Sequence, residues 1–223
     1  MKIISHIKTD FKTKFGLPRQ SGLIDNIEGK IVFEKEYQNI EALRGLEDFS
    51  HIWLLWKFSE TERDSWSPTV RPPMLGGNKR MGVFATRSPF RPNPIGLSAV
   101  KLERIEFTKN EGPVLFVRGA DLMDNTPIYD IKPYLPFSDS IENASGGFSE
   151  KTDDRTLSVS FPEELRAKIP HNKIETLCSV LASDPRPSYQ NDPERVYGFE
   201  FAEFEISFRV NEKNLTVCDV RIK

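Results

Sequence analysis

The run at 50–58, SHIWLLWKF, narrows the folds open to this chain more than any other stretch. On a strand, successive side chains point to opposite faces. Here His51, Trp53 and Leu55 fall on one face, and Ile52, Leu54, Trp56 and Phe58 on the other. A strand apolar on both faces belongs in a closed barrel, beneath a covering layer, or at a subunit interface. Further strand-like runs lie at 1–9, 30–34, 81–86, 95–107, 114–122 and 128–131, with one helical candidate at 39–46. Short strands at regular spacing, with almost no helical periodicity, predict a mostly β fold: an antiparallel barrel or sandwich. No G-x-G-x-x-G follows a strand and no P-loop is present, which disfavours a dinucleotide fold.

Composition shifts after residue 138. The polar run 138–155, SDSIENASGGFSEKTDDR, reads as a linker. Beyond it come a strand at 156–161, helices at 162–168 and 173–182, and a proline-stiffened turn, DPRPSY, at 184–189. In the tail, Tyr197, Phe199 and Phe201 keep one alternating phase, while Phe204, Ile206, Phe208 and Val210 keep the other. The switch at Ala202-Glu203 predicts a β-bulge, and 211–214 predicts a hairpin. The expected organisation is a barrel domain at 1–138, a linker at 139–155, and a small α+β domain at 156–223.

A formal net charge of −2 argues against a protein that coats nucleic acid by bulk electrostatics. The distribution says more. From Arg71 to Lys101 the charged residues are Arg71, Lys79, Arg80, Arg87, Arg91 and Lys101, with no acid among them. A local basic surface on a mildly acidic chain points to one selected anionic partner. The apolar share of 38% and charged share of 29% fit a soluble globular protein. No apolar run is long enough to span a bilayer, and MKIISHIKTDFKTKF lacks a signal-peptide core. A cytoplasmic location, away from membranes, is expected. Cys178 and Cys218 make neither a disulfide framework nor a four-ligand metal set, so no metal is expected; magnesium at carboxylates stays open.

The densest loop is GGNKRMGVFATRSPFRPNPIGLS, 76–98. Pro89, Pro92 and Pro94 each fix φ and hold the preceding residue extended. Arg91 and Asn93 therefore sit on a stiff backbone that loses little entropy on binding. A plain proline-rich connector is the alternative. A second dense stretch, 121–134, contains Asp121, Asp124 and Asp130 around an Asp-Asn turn. Such carboxylates can accept bonds from ribose hydroxyls or pair with Arg87 or Arg91; turn capping explains Asp124 equally well. His51, at the start of its strand, is either a satisfied core residue or a functional one.

The segments PRQSG, FSHIWLLW, GVFATRSPFRPNPIGLS, DLMDNTPIYDIKPYLPF and DPRPSY together resemble the TrmO (TsaA-like) family of tRNA methyltransferases. One departure is Asn125, where the pattern commonly has glycine; asparagine is the next best residue for a left-handed turn. The resemblance implies a single-sheet antiparallel β-barrel that binds S-adenosylmethionine and works as a homodimer. It implies methylation of N6 in the threonylcarbamoyl-adenosine beside the anticodon, with threonine tRNAs as the expected class. Carried over by motif, the cofactor contacts are Arg19, Gln20, His51, Ile52, Arg87, Leu97, Asp121, Leu122, Met123 and Asp124.

Methyl transfer from a sulfonium is an in-line displacement in which the cofactor supplies the activated carbon. The protein must align nitrogen, methyl and sulfur, and some group must accept the N6 proton. Asp130 and His51 are the candidates for that acceptor, unless no base is needed before transfer. Arg91 is a candidate to grip the threonylcarbamoyl carboxylate in bidentate fashion. Asn93, Lys132 and Tyr134 join it as substrate contacts. Arg186 and Tyr189 offer a phosphate contact and a stacking face, or simply an inter-domain brace. Two other classes stay open: a cofactor-binding regulatory module without turnover, and an RNA-binding barrel without cofactor.

Overall fold

The computed structural model describes residues 1–223 apart from 62–64, 151–155 and 187–191. Its first half contains β1 (Ser5–Lys8), β2 (Glu28–Phe33), β3 (His51–Lys57), β4 (Thr69–Val70), β5 (Met81–Gly82), β6 (Ile95–Thr108), β7 (Gly112–Arg118) and β8 (Thr126–Pro133). Six of these close into a barrel in the order β1-β2-β7-β6-β3-β8, every neighbouring pair antiparallel. The period-2 alternation of each strand sends Ile7, Ile31, Ile52, Leu54, Leu115 and Val117 into one core. Burying each such side chain contributes about 1.5–3 kcal/mol.

β3 is central in this sheet, paired to β6 on one side and β8 on the other. Its inner face, Ile52, Leu54 and Trp56, is buried; on its outer face Trp53 and Leu55 are half-buried and His51 exposed. The double-faced run thus belongs to a closed barrel whose outer wall stays partly open. Gly96 faces Trp56 across the ladder, and a Cβ there would lie 2.2 Å from the indole. Only glycine admits that ring to the barrel.

Two expected elements take other forms. The helix foreseen at 39–46 is broken into 3-10 turns, Ile40–Leu43 and Leu46–Asp48, because Gly45 adopts φ +84° between them. The strand foreseen at 81–86 stops at Gly82 and becomes a 3-10 turn, Val83–Ala85. Its partner β4 is bracketed by Pro68 and Pro72, which lack the N–H needed to extend the ladder.

After the barrel come α1 (Pro136–Asp139), β9 (Ser158–Ser160), α2 (Glu163–Arg166), α3 (His171–Ala182), β10 (Tyr197–Phe201), β11 (Phe204–Asn211) and β12 (Asn214–Ile222). The second sheet runs β10-β11-β12-β9, with β9 parallel to β12. α3 lays Leu177, Val180 and Leu181 into that sheet's core. The phase switch at Ala202-Glu203 is a two-residue hairpin turn, not a bulge: Phe201 pairs with Phe204, and Ala202 takes φ +54°. The register irregularity lies instead at Ser207/Phe208, opposite β12.

The loop 10–27 belongs by sequence to the barrel half, yet Phe11, Ile24 and Ile27 are buried in the second core. Phe11 meets Phe201 with ring centroids 5.6 Å apart, and Lys173 Nζ lies 2.6 Å from Asp10 Oδ2. The two cores are therefore stitched together by one loop.

Candidate functional site

That same loop supplies one wall of a cavity of about 1630 Å³. The opposite walls are the β4–β5 ribbon with its connecting segment, the loop 84–90, and residues 145–149. Arg19, Arg71, Arg80 and Arg87 line it, and no Asp or Glu does among the described residues.

The arginine loop is held by short-range bonds. Arg91 N–H donates to the Pro89 carbonyl and Ile95 N–H to that of Asn93, both at 2.8 Å. Ser88 Oγ accepts from Phe90 N at 3.3 Å. Arg91 Nη1 donates to the Thr86 carbonyl at 3.2 Å, folding its guanidinium along the loop rather than onto Asp121 or Asp124. Arg87 Nη1 donates to Gln20 Oε1, and Gln20 Nε2 donates to the Arg19 carbonyl at 2.5 Å.

Beside this pair lies Asp121, on the turn after β7. Trp56 Nε1 donates to Ser98 Oγ at 2.9 Å, and Ser98 Oγ donates to Asp121 Oδ1 at 2.6 Å. The chain of bonds runs from the barrel interior to the site. Burial pushes the Asp121 carboxyl above the usual carboxylate range, opposed by the Ser98 bond, the Ser21 amide and the Arg87 charge. A desolvated carboxylate beside guanidinium and amide donors is a polar set suited to a zwitterionic nucleoside.

Other expected site residues lie elsewhere. Ile52 is fully buried and Leu122 nearly so, so their side chains face the barrel core and only main chain is left for a ligand. Asp124 caps its turn: Oδ1 accepts from Thr9 N at 3.1 Å and Oδ2 from Asn125 Nδ2 at 2.9 Å. Asn125 holds φ +62°, the left-handed turn its sequence position foretells. Met123, half-buried, accepts from Thr126 Oγ1 through its carbonyl at 2.8 Å. Asn93 is exposed at the far end of the proline loop.

His51, Leu97, Asp130, Lys132 and Tyr134 gather on the outer barrel wall formed by β6, β3 and β8, and none of them lines the cavity. His51 Nδ1 lies 2.9 Å from Ser50 Oγ, and its ring meets Tyr134 edge-on at 6.2 Å. Asp130 Oδ2 is ion-paired to Lys132 Nζ at 2.9 Å. Leu97 is 51% exposed.

Arg186 requires a correction. Its guanidinium is buried and bound to Asp184 through two nitrogens, Nε at 2.8 Å and Nη2 at 3.0 Å. Turned inward on a carboxylate, it braces its own turn rather than presenting a phosphate contact. Tyr189 lies outside the described residues.

A family model described as the tRNA-methyltransferase O N-terminal domain matches residues 6–140, and one for the TrmO C-terminal domain matches 154–223. The chain belongs to the tRNA-methyltransferase O family. It is 41% identical to the tRNA (adenine(37)-N6)-methyltransferase of Escherichia coli, over 96% of this chain and 94% of that relative. The enzyme of that name from Eikenella corrodens is 48% identical, over 77% of this chain and 96% of its own. A crystal structure of TrmO from Pseudomonas aeruginosa superposes with a TM-score of 0.78 at 31% identity, covering 98% of this chain and 97% of that one. Family membership and the mostly β barrel foreseen from the motifs therefore agree.

The sequence motifs do not single out Ser98 and Ser21 as partners of Asp121, nor Trp56 as the donor to Ser98. A signal for Ser98 exists: in β6 it shares the inward phase of Gly96, Val100 and Leu102, where a hydroxyl needs a partner. No described helix is long and apolar enough to cross a membrane.

Proposed function

We infer that this chain is an S-adenosylmethionine-dependent tRNA (adenine-N6)-methyltransferase acting on adenosine 37, with the threonylcarbamoyl-modified base as substrate. The reading is carried by Arg19, Gln20 and Arg87 in an arginine-lined cavity that has no Asp or Glu in its lining among the described residues, with Asp121 beside Arg87, in a chain of this family. These residues fit the cofactor. Arg87, with Gln20 beside it, suits a carboxylate; Asp121 suits an ammonium or ribose hydroxyls. The cofactor, when bound, supplies an electrophilic methyl on a sulfonium.

The chain's own work is positioning. The proline loop keeps Arg91 and Asn93 pre-arranged, and Arg91 is assigned to the threonylcarbamoyl carboxylate. Its present bond, to a carbonyl at 3.2 Å, is an easily exchanged one. The proton leaving N6 is assigned to Asp130 or His51, with Lys132 and Tyr134 as their neighbours toward the substrate. Because none of these wall residues lines the cavity of its own chain, we further propose a homodimer in which the outer wall of one copy faces the site of the other. Half-buried Trp53 and Leu55 and exposed Leu97 supply its apolar contact. Light scattering at micromolar concentration should give twice the chain mass. We assign 1–138 to cofactor binding and chemistry, 139–155 to a linker, and 156–223 to support of loop 10–27 and tRNA holding.

The test is an assay with labelled S-adenosylmethionine on tRNA with and without the threonylcarbamoyl group. Label in the modified tRNA alone establishes reaction and substrate. Label in both keeps the methyltransferase and removes the carboxylate grip. Label in neither, with cofactor still bound, leaves a cofactor-binding module without turnover.

A further inference from the structure

The cavity's rim holds two large aromatic side chains that the barrel does not use. Trp66 is 49% exposed and Phe84 72% exposed, and their rings stack with centroids 6.1 Å apart and planes at 27°. Two contiguous exposed rings make an apolar patch, which marks a binding site more often than a lone exposed side chain does. Phe84 lines the cavity directly.

The β4–β5 ribbon ties these rings to positive charge. Thr69 pairs with Gly82 and Val70 with Met81, and Val83 N donates to the Pro68 carbonyl at 3.0 Å. Trp66 and Phe84 therefore flank one end of the ribbon. Arg71 and Arg80 occupy the next register position at the other end, both exposed, with Arg80 Nη1 donating to Thr69 Oγ1 at 2.8 Å. The cavity also exceeds the roughly 300–1,000 Å³ of small-molecule sites, so a cofactor leaves part of it open.

We propose that Trp66 and Phe84 form a stacking platform for an unpaired base of the substrate tRNA's anticodon loop, with Arg71 and Arg80 on the adjoining phosphates. The proposal rests on tRNA being the substrate. Stacked aromatics beside arginines, with no carboxylate lining the cavity among the described residues, match the chemistry of single-stranded RNA: faces that accept any base and a backbone charged at every step.

The experiment titrates a labelled anticodon stem-loop by fluorescence anisotropy and S-adenosylmethionine by calorimetry, on full-length chains. Phe84→Ala and Trp66→Ala should each weaken RNA binding about ten- to hundredfold with cofactor affinity unchanged, and Phe84→Trp should restore it. Arg71→Ala and Arg80→Ala, which touch no core, should each reduce the slope of log K against log salt by roughly 0.7. Unchanged RNA affinity in the alanine variants overturns the platform. Equal loss of cofactor and RNA binding overturns it too, making the rings a cofactor wall. Wild-type protein that binds the stem-loop through these residues yet transfers no methyl group would sink the enzymatic reading and leave the platform standing.

Discussion

Two loops of this molecule are written in the same way: arginines bracketed by prolines, RSPFRPNP at 87–94 and DPRP at 184–187. They end in opposite states. Arg186 is buried on Asp184, a residue itself held at φ +52°. Arg87, which lines the cavity, and Arg91, further along the same loop, keep amide and carbonyl partners instead of an ion pair. The difference lies in what each fold places within reach. Asp184 is two residues from Arg186 on a tight turn, whereas Asp121 is satisfied by Ser98 before either loop arginine reaches it. An arginine engaged by a buried carboxylate is part of the scaffold; one left with neutral partners is available to a ligand.

The comparison is sharpest in stability. Arg186→Ala leaves Asp184 buried and unpaired, and should cost about 3–5 kcal/mol in urea unfolding. Replacing both, Asp184→Asn with Arg186→Met, should recover part of that loss. Arg87→Ala should leave stability within about 1 kcal/mol, because its side chain is exposed, yet weaken cofactor binding by roughly ten- to hundredfold in calorimetry. A large stability loss there would erase the contrast. Arg91→Lys keeps the charge and loses the planar fork, so preference for threonylcarbamoyl-bearing tRNA should fall about tenfold with cofactor affinity nearly intact. Equal loss of cofactor binding would move Arg91 into the cofactor site.

The smallest expected effect is a pH dependence at Asp121. Burial raises its folded-state pKa above the unfolded value near 3.9. Between those two values the native state binds more protons than the unfolded one, so its stability falls as pH rises through that window. Asp121→Asn has no such titration. Its stability relative to wild type should improve from pH 3 to neutrality and then level off, and a flat difference would show that burial is not the dominant cause.

Much of this was legible in the sequence. Period-2 alternation, closely spaced turns and the double-faced run 50–58 were enough for a mostly β fold, barrel or sandwich, because those patterns depend only on local geometry; the choice of barrel came from the family resemblance. Asn125 could be placed in a left-handed turn for the same reason. Boundaries were less legible: β5 ended early because its partner strand was cut off by prolines elsewhere in the chain, and Ala202-Glu203 gives the same phase switch as a bulge or as a hairpin turn. A one-dimensional pattern does not distinguish those two.

By itself, then, the sequence determined the fold class, the stiffness of the arginine loop and the acid-free stretch 71–101, all properties of neighbours along the chain. Only the tertiary structure decided which charges meet. Arg186 was drawn inward, Arg19, Gln20 and Arg87 were assembled in one cavity, and Asp121 was set beside Arg87. His51 and Asp130 were left on the outer wall, and Trp66 was stacked on Phe84 from 18 positions away. The physical reason is that burial and pairing depend on distance through space, which barrel closure sets and residue spacing along the chain does not.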